Sequence, residues 1–140
     1  MKLVIDSNRI MAGLIKDSQT RRIIFNEEFN FIAPDHIITE IEKYRQYLIE
    51  KSKLTDREFD IILLSILDRI ELIPSDVFID HLELAEEIMK DIDIKDSPFL
   101  ALGLAVKAGG IWSEDKDFDR QDKLKRFSTK ELLNMANKNH

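Results

Sequence analysis

Residues 91–118 read DIDIKDSPFLALGLAVKAGGIWSEDKDF. Two acidic clusters, DIDIKD and SEDKD, flank one apolar helix, the Gly109-Gly110 turn and a short strand at Ile111-Trp112. Helix and strand form a framework that holds the two clusters at a fixed separation. Ionised carboxylates avoid burial, because they lose water that is hard to replace. Acidic clusters beside core elements are therefore either solvated caps or a cation site.

Within this stretch, Pro98 suits the first turn of a helix expected over Ser97 to Ala108, where its missing N–H costs little. Asp96 or Ser97 is the expected N-cap, and the helix dipole favours an aspartate there. Leu100 and Leu104, with the small Ala101, Gly103 and Ala105, are expected to pack this helix closely on a sheet. Gly109 fits the C′ position after the helix.

Working back to the start of the chain, Lys2 to Ile5 (KLVI) is a short apolar run that reads as a buried strand. Asp6-Ser7-Asn8 is expected to stop it. A first helix is expected from Ser18, in SQTRRIIFNEEF, with Ser18 or Thr20 as cap. FNFIA, at 29–33, is a second strand, and Asp35 is the expected cap of a helix from His36 to about Lys51. Ile37, Ile41, Tyr44 and Leu48 form its apolar stripe. At about 100° per residue, Glu40 sits roughly 60° from Ile37, at the margin of that stripe. Spacing alone reads Glu40 as an ordinary boundary glutamate, although one that can reach into a cleft.

Thr55-Asp56-Arg57-Glu58 is a capping box that opens a helix to about Arg69. Phe59 to Leu67 is apolar nearly all round, which implies cover on more than one side. IELI at 70–73 is a third strand, and a helix follows from Phe78 to about Met89. After the fourth strand at Ile111-Trp112, Lys125 to Phe127 is a fifth. Ser128 to Glu131 repeats the capping box before a final helix, and the tail NKNH at 137–140 is expected to fray.

Strands and helices alternate throughout. The pattern predicts one α/β domain over residues 1–140, a three-layer α/β/α fold with a central parallel sheet. In such sheets ligands bind beyond the carboxyl ends of the strands, where strand order reverses. If the order is 3-2-1-4-5, Asp6 after the first strand and Asp115 after the fourth would face one crevice. Asp96 closes it from the side.

Composition narrows the chemistry. The chain has 140 residues, 44% hydrophobic and 34% charged, which fits a folded globular protein. It has no cysteine, which removes thiol catalysis and Cys-based zinc sites. MKLVID shows no apolar leader and no run is long enough to span a bilayer, so a cytoplasmic protein is expected. The net charge of −6 opposes a generally basic nucleic-acid binder, but carboxylate ligands would supply part of it. No glycine-rich phosphate loop and no G-x-S-x-G elbow is present. His36, His81 and His140 lack metal-ligand spacing. Oxygen donors remain, and they suit Mg²⁺ or Mn²⁺.

The ordered motifs resemble the PIN domain, the nuclease fold named from the N-terminal region of PilT proteins, over about Leu3 to Leu133. VIDSN resembles the family's first strand and aspartate, with Ser7 and Asn8 matching the usual Thr/Ser and Asn. ITEIEKY resembles the helix bearing a glutamate, which falls at Glu40. DIDIKDSPFLALGLA resembles the D-x-x-D helix start, with Asp93 accessory and Asp96 the third acid. IWSEDKDF resembles the T-x-D-x-D-F segment, with Ser113 in the Thr position, Asp115 the fourth acid and Asp117 accessory.

The resemblance implies metal-dependent hydrolysis of RNA, with Asp6, Glu40, Asp96 and Asp115 as catalytic ligands of Mg²⁺ or Mn²⁺. A metal-activated water would leave a 3′-hydroxyl and a 5′-phosphate. It is compatible with the toxin of a VapBC-type toxin–antitoxin pair, with an antitoxin protein as partner, or with an RNA-processing nuclease. A non-catalytic interaction module and a DNA nuclease or phosphatase are the alternatives. Arg9, Lys43, Arg45 and Lys116 are the nearest candidates for substrate phosphate. The apolar helix at Phe59 to Leu67 points to a homodimer or larger assembly.

Overall fold

The computed structural model describes residues 1–15 and 18–138. The position of His140 and the end of the expected fraying tail lie outside the described residues. Strand β1 (Lys2–Ile5) is buried from Leu3 onward. The chain then turns directly into helix α1 (Ser7–Ile15), not into the loop the sequence suggested. Asp6-Ser7-Asn8 both stops a strand and starts a helix. The Asp6 carbonyl accepts the Arg9 N–H at 2.9 Å, and its carboxylate faces the Asn8 N–H at 3.4 Å. Ile10, Gly13 and Leu14 give α1 a buried face at helical spacing.

Helix α2 (Ser18–Ile24) is shorter than expected, and Thr20 lies buried inside it, not at its cap. Strand β2 (Asn30–Pro34) follows. The long helix expected from His36 divides into α3 (Ile37–Lys43) and α4 (Arg45–Ser52). Tyr44 breaks it, with φ −101° and ψ 9°, and turns outward instead of joining the apolar stripe. Asp35 does not cap: His36 holds that position without a side-chain bond.

Thr55 and Glu58 form both bonds of their capping box ahead of α5 (Asp56–Leu67). Phe59, Leu63 and Ile66 face the core, but Ile61 and Leu64 are 57% and 68% exposed. The apolar surface therefore lacks the all-round cover its sequence calls for. Strand β3 (Ile70–Ile73) leads to α6 (Ile79–Met89) and then α7 (Ser97–Ala105).

Helix α7 ends before Ala108, and the reason is local. Lys107 takes the left-handed conformation at φ 54°. The Ala108 N–H reaches Gly103 O at 2.9 Å and the Lys107 N–H reaches Leu104 O at 3.4 Å, the paired bonds of a Schellman stop. Gly109 is not the C′ residue. Its N–H donates instead to Lys2 O at 2.8 Å, on β1. Gly103 makes room for Leu124, whose side chain would collide with an added Cβ.

Strands β4 (Gly110–Trp112) and β5 (Arg126–Phe127) complete the sheet among the described residues. The Ser128 capping box, closed by bonds of 3.1 and 3.2 Å with Glu131, opens α8 (Thr129–Lys138). The order is β3-β2-β1-β4-β5, all parallel. Helix α7 packs on β1 and β2 with α6 against it, while α1 packs with α2, α4 and α5. The sheet thus lies between helical layers, and Trp112 meets Phe31 at 5.3 Å between ring centres in the core. Among the described residues no helix is long and apolar enough to cross a membrane.

Candidate active site

The parallel pairing of β1 with β4 sets Ile5 beside Trp112, so the residues that follow both strands emerge together. Asp6 leaves β1 with its N–H bonded to Trp112 O at 3.1 Å. The residue is only 6% exposed. Such a group needs partners, and it has them. Ser113 Oγ donates to Asp6 Oδ2 at 2.7 Å. The same hydroxyl accepts the Asp115 N–H at 3.0 Å, and Asp115 Oδ1 accepts the Asp117 N–H at 2.9 Å. One buried serine therefore orders two of the expected acids, and the second acid orders the turn after it.

A crevice of about 410 Å³ opens above these strand ends. Asp6, Ser7, Asn8, Glu40, Asp93 and Asp96 line it, with Lys43, Lys95, Tyr44 and Phe99 on its walls. Asp93 accepts the Lys95 N–H at 3.2 Å, which turns the chain into α7. Asp96 stands at the head of that helix without making a side-chain cap bond. The simple capping account of Asp96 thus lacks its hydrogen bond.

Electrostatics tie the acids together. Burial pushes the Asp6 carboxyl above its ordinary value, Ser113, Asn8 and Arg9 oppose the rise, and Asp115 adds to it. Asp96 is pushed up to about 7, first by burial and then by Asp6, Asp93, Asp115 and Glu40. Each of these carboxylates is close enough to disfavour charge on Asp96. Asp115 acts from beside the crevice rather than as part of its lining.

The remaining expected residues separate. Arg9 is half-buried, and its Nε has no hydrogen-bond partner among the described residues. Lys43 lines the crevice. Arg45 does not: it pairs with Asp60 at 2.7 Å and Glu42 at 3.6 Å, and lies over Phe59 at 5.0 Å. Lys116 is exposed and stands near Asp119. Sequence reasoning passed over Lys95 and Phe99 and set His36 aside. The His36 Nε2 contacts Glu40 Oε1 at 3.1 Å while its ring meets Phe99 edge-on at 5.8 Å. The i,i+4 spacing of His36 and Glu40 was the available signal.

The donors suit a hard divalent ion, being carboxylates and hydroxyls whose mutual repulsion a cation would relieve. Ser7 adds a buried hydroxyl with no hydrogen-bond partner among the described residues. As the side chains stand, no three His, Asp or Glu among the described residues gather closely enough to hold an ion jointly. The chemistry of the set fits Mg²⁺ or Mn²⁺, and the candidate ligands are Asp6, Glu40, Asp96 and Asp115.

A sequence model of the PIN domain matches residues 4–132. No curated protein matches the chain.

Proposed function

The chain belongs to the PIN domain family, and from that membership we propose that it is an endoribonuclease dependent on Mg²⁺ or Mn²⁺. The observation that carries the reading is that Asp6, Glu40, Asp93 and Asp96 line one crevice, with Asp115 beside it held by the same Ser113 that holds Asp6. When bound, the divalent ion supplies the positive charge and the water activation that phosphodiester hydrolysis needs.

The chain's own residues prepare that chemistry. Ser113 and the Asn8 N–H hold the two oxygens of Asp6, fixing the carboxylate before an ion arrives. Such preorganisation spares the site from reordering during the reaction. Asp115 is aimed by the same serine, with Asp117 supporting its turn. Asp93 shapes the entry to α7 and adds negative charge beside Asp96. Ser7 and Asn8 bring polar atoms to the floor, while Lys43 and Lys95 bring cations to the wall for a substrate phosphate. Arg9 counters the charge of Asp6. Arg45 is already held by Asp60, so Lys43 is the better phosphate contact of the two.

The test uses labelled RNA with and without EDTA. Cleavage that stops with EDTA and returns with Mn²⁺ supports the reading, and equal cleavage in both tubes would sink it. Parallel arms with single-stranded DNA and small phosphoesters separate a ribonuclease from a DNA nuclease or phosphatase. A toxin role is tested by growth arrest on expression, relieved by an antitoxin encoded beside it. An RNA-processing role predicts no arrest.

A second observation favours self-association alongside catalysis. Ile38 and Ile41 of α3 and Leu63, Leu64 and Leu67 of α5 line a largely apolar groove of about 340 Å³, with Glu42 and Asp60 also in its lining. Ile61 and Leu64 stand exposed beside or within it. A homodimer through this face would supply the missing cover.

A further inference from the structure

Both tyrosines of the chain, Tyr44 and Tyr47, fall in one short segment. They are 44% and 54% exposed. Tyr44 lines the crevice at the break between α3 and α4. Positions 44, 47 and 51 follow the i, i+3, i+7 rhythm of one helix stripe, beside the face that buries Leu48 and Ser52. Each ring has its own cation: Lys43 Nζ lies 5.6 Å from the centre of Tyr44, and Lys51 Nζ lies 5.8 Å from that of Tyr47. Residues 43–53 carry Lys43, Lys51 and Lys53, besides Arg45 which Asp60 and Glu42 hold, against the single acid Glu50. This local excess stands out in a chain of net charge −6.

We infer that the Tyr44–Tyr47 stripe is a stacking track for the unpaired bases of a single-stranded nucleic acid whose backbone runs into the crevice. The inference rests on the nuclease reading of the crevice and deepens it by naming the side chains of this chain that hold the substrate's bases. Exposed aromatic rings beside lysines are the physical means by which single strands are held without a fixed sequence, since every base has a π-face. Side chains three residues apart on a helix have Cβ atoms about 5–6 Å apart, so neighbouring bases can each find a ring. A duplex hides those base faces in its own stack and cannot use the track. The lysines beside the rings then meet the phosphates that follow each base. A protein partner would have to take the same ammonium groups from water without a backbone of phosphates to neutralise them.

Binding is measured by fluorescence anisotropy with a labelled single-stranded RNA, Ca²⁺ in the buffer and the strand shown intact on a gel. Wild type should bind the single strand more tightly than a hairpin duplex of the same length. Tyr44→Leu should weaken binding by roughly tenfold or more, from the usual worth of a base–aromatic stack. Tyr44→Phe keeps the ring and should bind like wild type. On an abasic strand of equal length, wild type and Tyr44→Leu should bind alike, because no base is there to stack. Tyr47→Leu should repeat the pattern more weakly, being further from the crevice. Binding that ignores Tyr44, prefers the duplex or is absent altogether would overturn the inference and leave this face to a protein partner. A protein that fails to cleave RNA but shows the tyrosine-dependent binding would overturn only the nuclease reading. A metal-dependent nuclease indifferent to Tyr44 would overturn only the track.

Discussion

Ser113 Oγ lies 2.7 Å from Asp6 Oδ2, joining residues 107 positions apart in the sequence. The bond exists because β1 and β4 pair in parallel and end level with one another. Its acceptor is a buried carboxylate, so the donor satisfies a group that water cannot reach freely.

Ser113→Ala removes that donor and also the acceptor of the Asp115 N–H. Loss of a hydrogen bond to a buried group should cost about 1–3 kcal/mol. The Asp6 carboxyl, already raised by burial, should rise further because the Ser113 bond lowers it. A raised carboxyl pKa in the folded state stabilises the protein at low pH and loses that stability as pH climbs through it. The variant should therefore lose more at pH 8 than at pH 4, as read by urea unfolding. Ser113→Thr should recover most of the loss. An alanine variant as stable as wild type at both pH values would contradict the role given to this hydroxyl.

Asp96 offers the sharper pH signature. Its ordinary value of 3.8 is raised in the fold to about 7. Stability from this group is fully present below the unfolded value and disappears as pH rises through about 7. Metal-free wild type should thus weaken between pH 4 and pH 8, by about 1–2 kcal/mol after solvent at the crevice mouth is allowed for. Asp96→Asn should flatten that part of the profile and abolish most cleavage. Mn²⁺ should raise the wild-type melting temperature by mass action, and raise that of the variant less. Unchanged activity and an unchanged Mn²⁺ response would remove Asp96 from the site.

Self-association through α5 is checked by light scattering. Wild type should show more than a monomer mass at high concentration. Leu64→Lys should return the monomer without lowering its melting temperature, since Leu64 is 68% exposed in the single chain. A wild-type monomer at every concentration would dispose of the assembly.

Lys107 carries a side chain in a conformation that glycine adopts freely. Lys107→Gly should raise stability by about 0.5–1 kcal/mol, the relief of left-handed backbone strain less the added freedom of the unfolded chain. Thermal unfolding measures the difference. A destabilised variant would mean that the lysine stem contributes more than the strain it imposes.

Local signals carried most of the fold into the sequence. The strand sites and the two capping boxes follow from short-range chemistry, the strand order came with the family resemblance, and the structure agrees with each. What escaped depends on tertiary neighbours. Asp6-Ser7-Asn8 looked like a stop because its capping role needs the strand end held by Trp112. Tyr44 fitted the apolar stripe by period, but the break it sits on turns it to solvent. Gly109 fitted a helix stop, yet Lys107 occupies the left-handed position first. In the candidate site, Asp6, Glu40 and Asp96 line one crevice, and Asp115 stands beside it. Arg45 was out of reach of such reasoning, because its capture by Asp60 joins two helices that sequence spacing cannot relate.

The central strand of the sheet has a temporal meaning. β1 is made early, but the neighbour that completes it on one side is Gly110–Trp112, which leaves the ribosome only after most of the chain. Pairing so distant in sequence must wait for its loop to close. Until then Asp6 has no Ser113 to hold it, and its acids stay scattered along the nascent chain. The candidate site therefore assembles late, with the pairing of β1 and β4, rather than with the strand that carries its first acid.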